Sequence, residues 1–448
     1  MDAFKLDRIS WQILRATQEK TSVRSISPKR TVDRSVRRLV KMKLIRLEKE
    51  AELATAPVPK RGNNIVIKAV DFHVTHNCNM HCKYCYGLNE NVNYLATACD
   101  MSVQTAHDAV DFLAKHANPK LGLNIVFFGG EPLCNFLLVR ETVRYAKKIF
   151  EEQKKRLSFS ITTNGTIMSD EILDLLNREK FGIMVSLDGP KEVQDVLRPM
   201  RDGQSSYDVV VPNIELLLKS RNGQITSRAT ICSINMDLVA LAKHFKRIGF
   251  AHAVLSPESR VLTHEYHSTM KGILSAYGRL ADYIVASCVE GVPHIVEPFR
   301  QLLLTLFFNE KRLYPCGAGR TYVAISPTGD IYPCHRFMGD SKCKIGSIYS
   351  GIEPERTEVY WRRNVREAKA CSKCWVKHLC AGGCAHTHYL STCHVGEVCR
   401  EECKMTRRIV ELGIYAAFRM QEEARTQLEQ WMQAEKALYA RRMKMLFA

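Results

Sequence analysis

Three cysteines stand within eight residues, Cys78-Asn-Met-His-Cys82-Lys-Tyr-Cys85, directly after an apolar run at 65–74 (IVIKAVDFHV) that reads as a β-strand. Thiolates at that spacing can hold three irons of a [4Fe–4S] cluster and leave one iron open to bind a small molecule. Zinc is the alternative, but a structural zinc site wants four ligands and no fourth cysteine is near. Ten further cysteines crowd between Cys316 and Cys403, while Cys99, Cys134, Cys232 and Cys288 stand alone. In a reducing compartment clustered thiols read as metal ligands rather than disulfides. The isolated four read as small buried apolar residues.

Strands and helices must place these thiols. Apolar runs at 65–74, 123–128, 157–162, 181–187, 225–231 and 251–255 alternate with amphipathic stretches at about 102–117, 136–155, 169–178, 207–220 and 236–247. That alternation predicts an α/β fold with parallel strands, right-handed crossovers and chemistry at the C-terminal strand ends. Six strands make a partial (β/α)6 barrel, short of the full eight. The cysteine loop ends the first. Phe128-Gly129-Gly130-Glu131-Pro132 ends the second, where the glycines let backbone approach a ligand and Glu131 could neutralise an ammonium; alone it would read equally as a tight turn. Thr162-Thr163-Asn164-Gly165 ends the third, and Ser186-Leu187-Asp188-Gly189-Pro190 the fourth.

These motifs together resemble the radical S-adenosylmethionine (radical SAM) superfamily, over roughly residues 65–403. Cys78, Cys82 and Cys85 match its CxxxCxxC motif, and Gly129, Gly130, Glu131 and Pro132 its GGEP motif. The resemblance implies that the open iron binds the amino and carboxylate groups of S-adenosylmethionine, whose reductive cleavage gives a 5′-deoxyadenosyl radical. It further implies that Tyr84 lies beside adenine, and that segments containing Asn164, Ser186 and Asp188 contact ribose and carboxylate. Arg198 is a further cofactor candidate, with a surface position as the alternative.

The later cysteines resemble the SPASM extension, which holds two auxiliary [4Fe–4S] clusters and so implies three clusters in all. By position, Cys371, Cys374, Cys380 and Cys403 would hold the outer cluster, with Cys399 competing for the last place. Cys316, Cys334 and Cys384 would hold the inner one. Relatives of the sulfatase-maturing kind have a further ligand shortly after the first cysteine, whereas Gly317-Ala-Gly-Arg-Thr-Tyr322 carries no thiol. A vacant inner iron would suit thioether-forming relatives, such as maturases of quinohemoprotein amine dehydrogenase and of six-cysteine peptides. Where the sulfatase type places a basic aspartate, this chain has His335, which argues against formylglycine formation and makes His335 the catalytic candidate, either as proton acceptor or as hydrogen-bond support.

At 448 residues, 46% hydrophobic and 25% charged, the chain has the composition of a multi-domain globular protein. No apolar run approaches a spanning helix, and the charged N-terminus is unlike a secretory signal, so a cytoplasmic location is expected. Half of the net charge of +18 falls in residues 1–61, with sixteen Lys and Arg against seven Asp and Glu. The stretch LDRISWQILRATQEK followed by TVDRSVRRLVKMKLIRLE reads as a winged-helix-like unit, suited to capturing an acidic leader peptide by strand addition; DNA contact and plain packing are its alternatives. The expected division is 1–54 winged-helix-like unit, 55–63 linker, 64–260 partial barrel, 261–313 helical connector, 314–403 SPASM domain and 404–448 C-terminal helix. The expected partners are a precursor peptide or small protein subunit with its leader and a flavodoxin or ferredoxin reductant, with no nucleic acid and no membrane. The rival activities are carbon–carbon crosslinking or other peptide oxidation, and, outside enzymes, a zinc-stabilised DNA-binding protein.

Overall fold

The computed structural model describes residues 66–447 apart from 89–93, 96–98, 118–121, 222–224, 259–266 and 309. The winged-helix-like unit expected at 1–54 and the linker at 55–63 lie outside the described residues. Strands β1 (Ala69–Thr75), β2 (Leu123–Gly129), β3 (Leu157–Thr163), β4 (Gly182–Ser186), β5 (Thr226–Ile231) and β6 (His252–Pro257) lie side by side in chain order, all parallel. Helices α1 (Val103–His116), α2 (Phe136–Glu152), α3 (Asp170–Arg178), α4 (Lys191–Leu197), α5 (Ser206–Ser220) and α6 (Leu238–Ile248) provide the crossovers. This is the partial barrel expected from the alternating pattern.

Side-chain alternation gives the sheet two faces. In β2, Leu123, Ile125 and Phe127 are buried against helices, while Asn124, Val126 and Phe128 take the other, more open face. Phe127 clusters with Phe159 and Phe181, with centroids 6.2 and 5.8 Å away. The helices start where short polar side chains cap them: Ser102 accepts from the amide of Thr105 at 3.0 Å and Asp237 from that of Ala240 at 3.0 Å. Each cap contributes about 1 kcal/mol.

Beyond the connector helices α7 (His267–Val289) and α8 (Phe299–Phe307), the cysteine-rich unit extends the same sheet. Strand β7 (Tyr322–Ile325) pairs in parallel with the free edge of β1, and β8 (Asp330–Tyr332), β9 (Gly346–Ser347) and β10 (Gly351–Ile352) continue antiparallel, making ten strands. These strands are too short to show a period in the sequence. Helices α9 (Pro354–Trp361), α10 (Lys377–Cys380) and α11 (Ala385–Thr392) follow. The terminal helical segment is two helices, α12 (Arg400–Glu423) and α13 (Arg425–Phe447), divided at Ala424. A Cβ at Gly413 of α12 would stand 2.2 Å from Cδ2 of Leu302 of α8, so the leucine side chain packs directly on the glycine backbone where the helices meet. The Tyr415 hydroxyl also donates to Asp282 of α7 at 2.9 Å.

Candidate active site

The first cysteine loop leaves β1 at Thr75 and is clamped on both sides. On one side runs the Gly129–Gly130 segment, whose amides Gly130 and Glu131 donate to the carbonyls of Thr75 (3.0 Å) and Asn77 (2.8 Å). A Cβ on Gly129, where φ is +141°, would come within 2.1 Å of the Thr75 carbonyl oxygen, and one on Gly130 within 2.2 Å of that of Asn77. The close approach that requires these glycines is therefore to the cysteine loop itself. On the other side the loop pairs with residues 197–201: the amides of His81, Lys83 and Arg201 donate to the carbonyls of Pro199, Leu197 and Asn79 at 2.9, 3.0 and 3.0 Å.

That second pairing buries Arg198, the residue for which a surface position was the alternative. Its Nη1 donates to the Tyr84 hydroxyl at 2.7 Å, and that hydroxyl donates to Oδ2 of Asp188. Oδ1 of Asp188 accepts from the amide of Thr230 at 2.8 Å. Tyr84 thus ties the cysteine loop to the ends of β4 and β5. Burial pushes the thiols of Cys78 and Cys82 up to about 12 and about 11, and that of Cys85 up as well, while Arg198 draws all three back. Cys78 and Cys85 each feel or influence Cys82 electrostatically, so the three form one group.

Glu131 departs from its expected part. Its buried carboxylate already accepts from the Thr163 hydroxyl (2.8 Å) and from the amides of Leu133 (3.1 Å) and Asn164 (2.6 Å), so it ties β2 to β3 instead of standing open for an ammonium. Burial pushes it up to about 6 despite those donors. Pro132 opens the short 3-10 turn that follows. Asn164 donates to Asn79 at 2.9 Å and lies 4.0 Å from the sulfur of Cys78. Ser186 stands at the open end of β4, paired in register with Arg228.

The later cysteines fall into two groups. Cys371, Cys374, Cys380 and Cys403 line one cavity together with His388 and Glu402. Cys399 is wholly buried at the start of α12 and is not part of that lining. Cys316, Cys334 and Cys384 form the other group: burial is the main cause that raises Cys316 and Cys334, Cys384 adds to both, and Cys316 adds to Cys334. Arg363 fixes the loop before Cys384 by donating to the carbonyls of Gly382 (2.9 Å) and Gly383 (2.8 Å). The amide of Cys384 donates to Glu402 at 2.7 Å.

His335, beside Cys334, reaches back to the barrel. Its Nδ1 lies 2.6 Å from Oδ2 of Asp71 on β1, the Tyr322 hydroxyl donates to the same oxygen, and its ring stacks on Phe128 at 4.8 Å. Asp71 has no place in the sequence reading. Its signal is a carboxylate inside an otherwise apolar strand run, where burial demands a partner.

Among the described residues no three His, Cys, Asp or Glu side chains are gathered tightly enough to hold a single metal ion. The donor set of the first loop, three thiols with the Arg198 cation beside them, fits a cluster held at three corners. No described helix is long and apolar enough to cross a membrane.

Known proteins place this architecture. Residues 72–239 match the model of the radical SAM superfamily. The radical SAM cyclopropyl synthase TigE of Paramaledivibacter caminithermalis is 27% identical over 337 residues, covering 71% of this chain and 68% of that protein. A cysteine-type anaerobic sulfatase-maturating enzyme of Clostridium perfringens is 23% identical, covering 68% of this chain and 85% of that protein. In fold, the chain superposes on the structure of anSMEcpe with bound AdoMet with a TM-score of 0.68 and 21% identity, over 81% of this chain and 98% of that one. The chain thus carries a radical SAM domain over residues 72–239 and is related to peptide and protein maturases, in a superfamily that uses S-adenosylmethionine and a [4Fe–4S] cluster.

Proposed function

We propose that this enzyme modifies a ribosomally made peptide or small protein subunit, abstracting hydrogen from a carbon and joining that carbon to a cysteine sulfur as a thioether. The observation that carries the reading is the contact of His335 with Asp71, which brings the Cys316, Cys334 and Cys384 group to the strand whose loop bears Cys78. Two cysteine groups are then tied to one strand, as a reaction that begins at one centre and ends at another requires.

In this reading Cys78, Cys82 and Cys85 hold the S-adenosylmethionine-binding cluster, and Tyr84, Asp188 and Arg198 steady the loop around it. Gly129, Gly130, Glu131, Pro132, Asn164 and Ser186 form the strand ends that face the cofactor. Cys316, Cys334 and Cys384 hold an inner auxiliary cluster, and Cys371, Cys374, Cys380 and Cys403 an outer one. When bound, these groups would supply a hydrogen-abstracting radical and a sink for the remaining electron. Net thioether formation breaks one C–H and one S–H bond and forms one C–S bond. One hydrogen leaves as an atom, the other as a proton and an electron. His335, fixed through Nδ1 by Asp71, is the proposed proton acceptor. The protein's share is to position the carbon and keep water out. The basic segment at 1–61 is suited to an acidic leader, and a flavodoxin or ferredoxin would supply the reducing electron.

Carbon–carbon bond formation is the second reading, favoured by the likeness to a cyclopropyl synthase. Coexpression with a short cysteine-containing reading frame beside the gene, followed by mass spectrometry, separates the two. A thioether removes two hydrogen atoms and one alkylatable thiol per crosslink. A loss of two hydrogens with every thiol still alkylatable would establish the second reading instead.

A further inference from the structure

The two groups of later cysteines meet at one carboxylate. Glu402 lies in the first turn of α12, directly before Cys403, and is buried. Its Oε1 accepts from the amide of Cys384 at 2.7 Å. The same residue lines the cavity that Cys371, Cys374, Cys380 and Cys403 share. Glu402 therefore holds the backbone of the inner group and borders the chamber of the outer one. Only that hydrogen bond, the Glu402 side chain and one peptide bond separate Cys384 from Cys403.

The neighbourhood is built around this contact. His388 of α11 is buried beside it, with Nδ1 3.0 Å from Nη1 of Arg363. A guanidinium can only donate, so Nδ1 accepts and the ring proton sits on Nε2. Arg363 is itself buried, and its other Nη hydrogens go to the carbonyls of Val395, Gly382 and Gly383. His388 is thereby fixed in one tautomer and one orientation. Gly383, at φ +70°, makes the room: a Cβ there would stand 2.8 Å from Nε2 of His388 and 3.2 Å from Oε1 of Glu402.

Two polar atoms are left over. Nε2 of His388 and Oε2 of Glu402 are buried 3.1 Å apart, yet neither is aligned for a hydrogen bond with any partner. A buried donor and a buried acceptor without partners are costly, so the lining of this cavity suits a polar group that occupies it. Lys377 and Arg407 bring positive charge to the same lining, and among the described residues Glu402 is its one carboxylate.

We propose that Glu402 is the positioning residue that couples the two auxiliary clusters: its charge holds the outer cluster's reduction potential down, and its grip on the Cys384 amide keeps that N–H from the inner cluster's sulfurs. The inference rests on the ligand assignment above and adds a residue that ligates neither cluster. Net charge and hydrogen bonds to sulfur are two of the factors that set an iron–sulfur potential. Both effects of Glu402 act in one direction, so removing the side chain moves each potential to a more positive value.

The test is a redox titration of the full-length, anaerobically reconstituted protein, followed by electron paramagnetic resonance, with the outer signal identified as the one that Cys403→Ser removes. Glu402→Gln keeps the size of the side chain and an oxygen that can accept from Cys384, but not the charge. It should favour the reduced outer cluster by about tenfold, a shift of about 59 mV for one electron, with iron content and the inner potential unchanged. Glu402→Ala should move both potentials the same way. A purely structural part would leave Glu402→Gln within about twofold of the wild type, and that result overturns the proposal. So does a Glu402→Ala variant in which only one potential moves.

Hydrogen exchange tests the same contact whether or not a variant keeps its iron. Exchange at the Cys384 amide should quicken about tenfold in Glu402→Ala and stay within about twofold of the wild type in Glu402→Gln. Unaltered exchange in Glu402→Ala overturns Glu402 as the link while leaving the ligand assignment standing. A wild type that binds no iron at Cys371, Cys374, Cys380 and Cys403 removes the ligand assignment, and the coupling with it.

Discussion

Nδ1 of His335 lies 2.6 Å from Oδ2 of Asp71, although 264 positions separate the two residues in the chain. The Tyr322 hydroxyl donates to the same oxygen, so one buried carboxylate on β1 organises two side chains of the cysteine-rich unit. Together with the pairing of β7 on β1, this contact makes the barrel and that unit share a wall.

Replacing that carboxylate should therefore loosen the join. Asp71→Ala leaves His335 and Tyr322 without their acceptor and should cost about 2 kcal/mol, read as a lower urea midpoint. Asp71→Asn keeps an oxygen acceptor and should cost less. Equal stability of Asp71→Ala and wild type would mean that the contact contributes nothing.

The last outer ligand can be settled by iron content. Cys403→Ser should lose about four irons per chain on reconstitution, whereas Cys399→Ser should retain them. The basis is that Cys403 lines the cavity with Cys371, Cys374 and Cys380, and Cys399 is buried outside it. The opposite pattern would move the ligand to Cys399.

Gly130→Ala should damage the first cysteine loop specifically. The new methyl would stand 2.2 Å from the Asn77 carbonyl oxygen, a backbone atom that can yield only by shifting the residues before Cys78. Such overpacking costs about 1–3 kcal/mol. Cluster incorporation at Cys78, Cys82 and Cys85 should fall, while the iron held by the later cysteines stays.

One acid-sensitive group lies away from every cysteine cluster. Burial first, and then Lys246, bring His294 from 6.5 down to about 4, with its Nδ1 2.9 Å from the Tyr283 hydroxyl. The unfolded chain therefore takes up this proton more readily than the folded one. The stabilising share is complete above pH 6.5, shrinks as pH falls, and is gone below about 4. It amounts to about 2 kcal/mol once residual solvent contact is allowed for. His294→Asn should flatten the stability profile by that amount across this window, and parallel profiles would contradict the assignment.

Much of this was legible in the sequence. Six apolar runs matched β1 to β6 because each is long enough to show its period and is followed by an amphipathic helix. The cysteine, Gly-Gly-Glu-Pro, Thr-Thr-Asn-Gly and Ser-Leu-Asp-Gly segments then had to fall at one end of the sheet. What local pattern could not carry was long-range pairing. Arg198 looks like any charged residue after a helix, and is buried only because residues 197–201 pair with the cysteine loop. Glu131 reads as a charge facing a ligand until the ends of β2 and β3 meet around it. Asp71 gains its meaning from a histidine more than half the chain away.

The central claim is that Cys78, Cys82 and Cys85 hold a cluster with one open corner. It is tested most directly by electron paramagnetic resonance on the dithionite-reduced, anaerobically reconstituted enzyme, titrated with S-adenosylmethionine and assayed for 5′-deoxyadenosine. The account predicts a reduced [4Fe–4S] signal that changes when S-adenosylmethionine is added, together with nucleoside formation, both absent from the Cys78→Ala, Cys82→Ala, Cys85→Ala variant. A signal indifferent to S-adenosylmethionine, or 5′-deoxyadenosine still made by the triple variant, would contradict it.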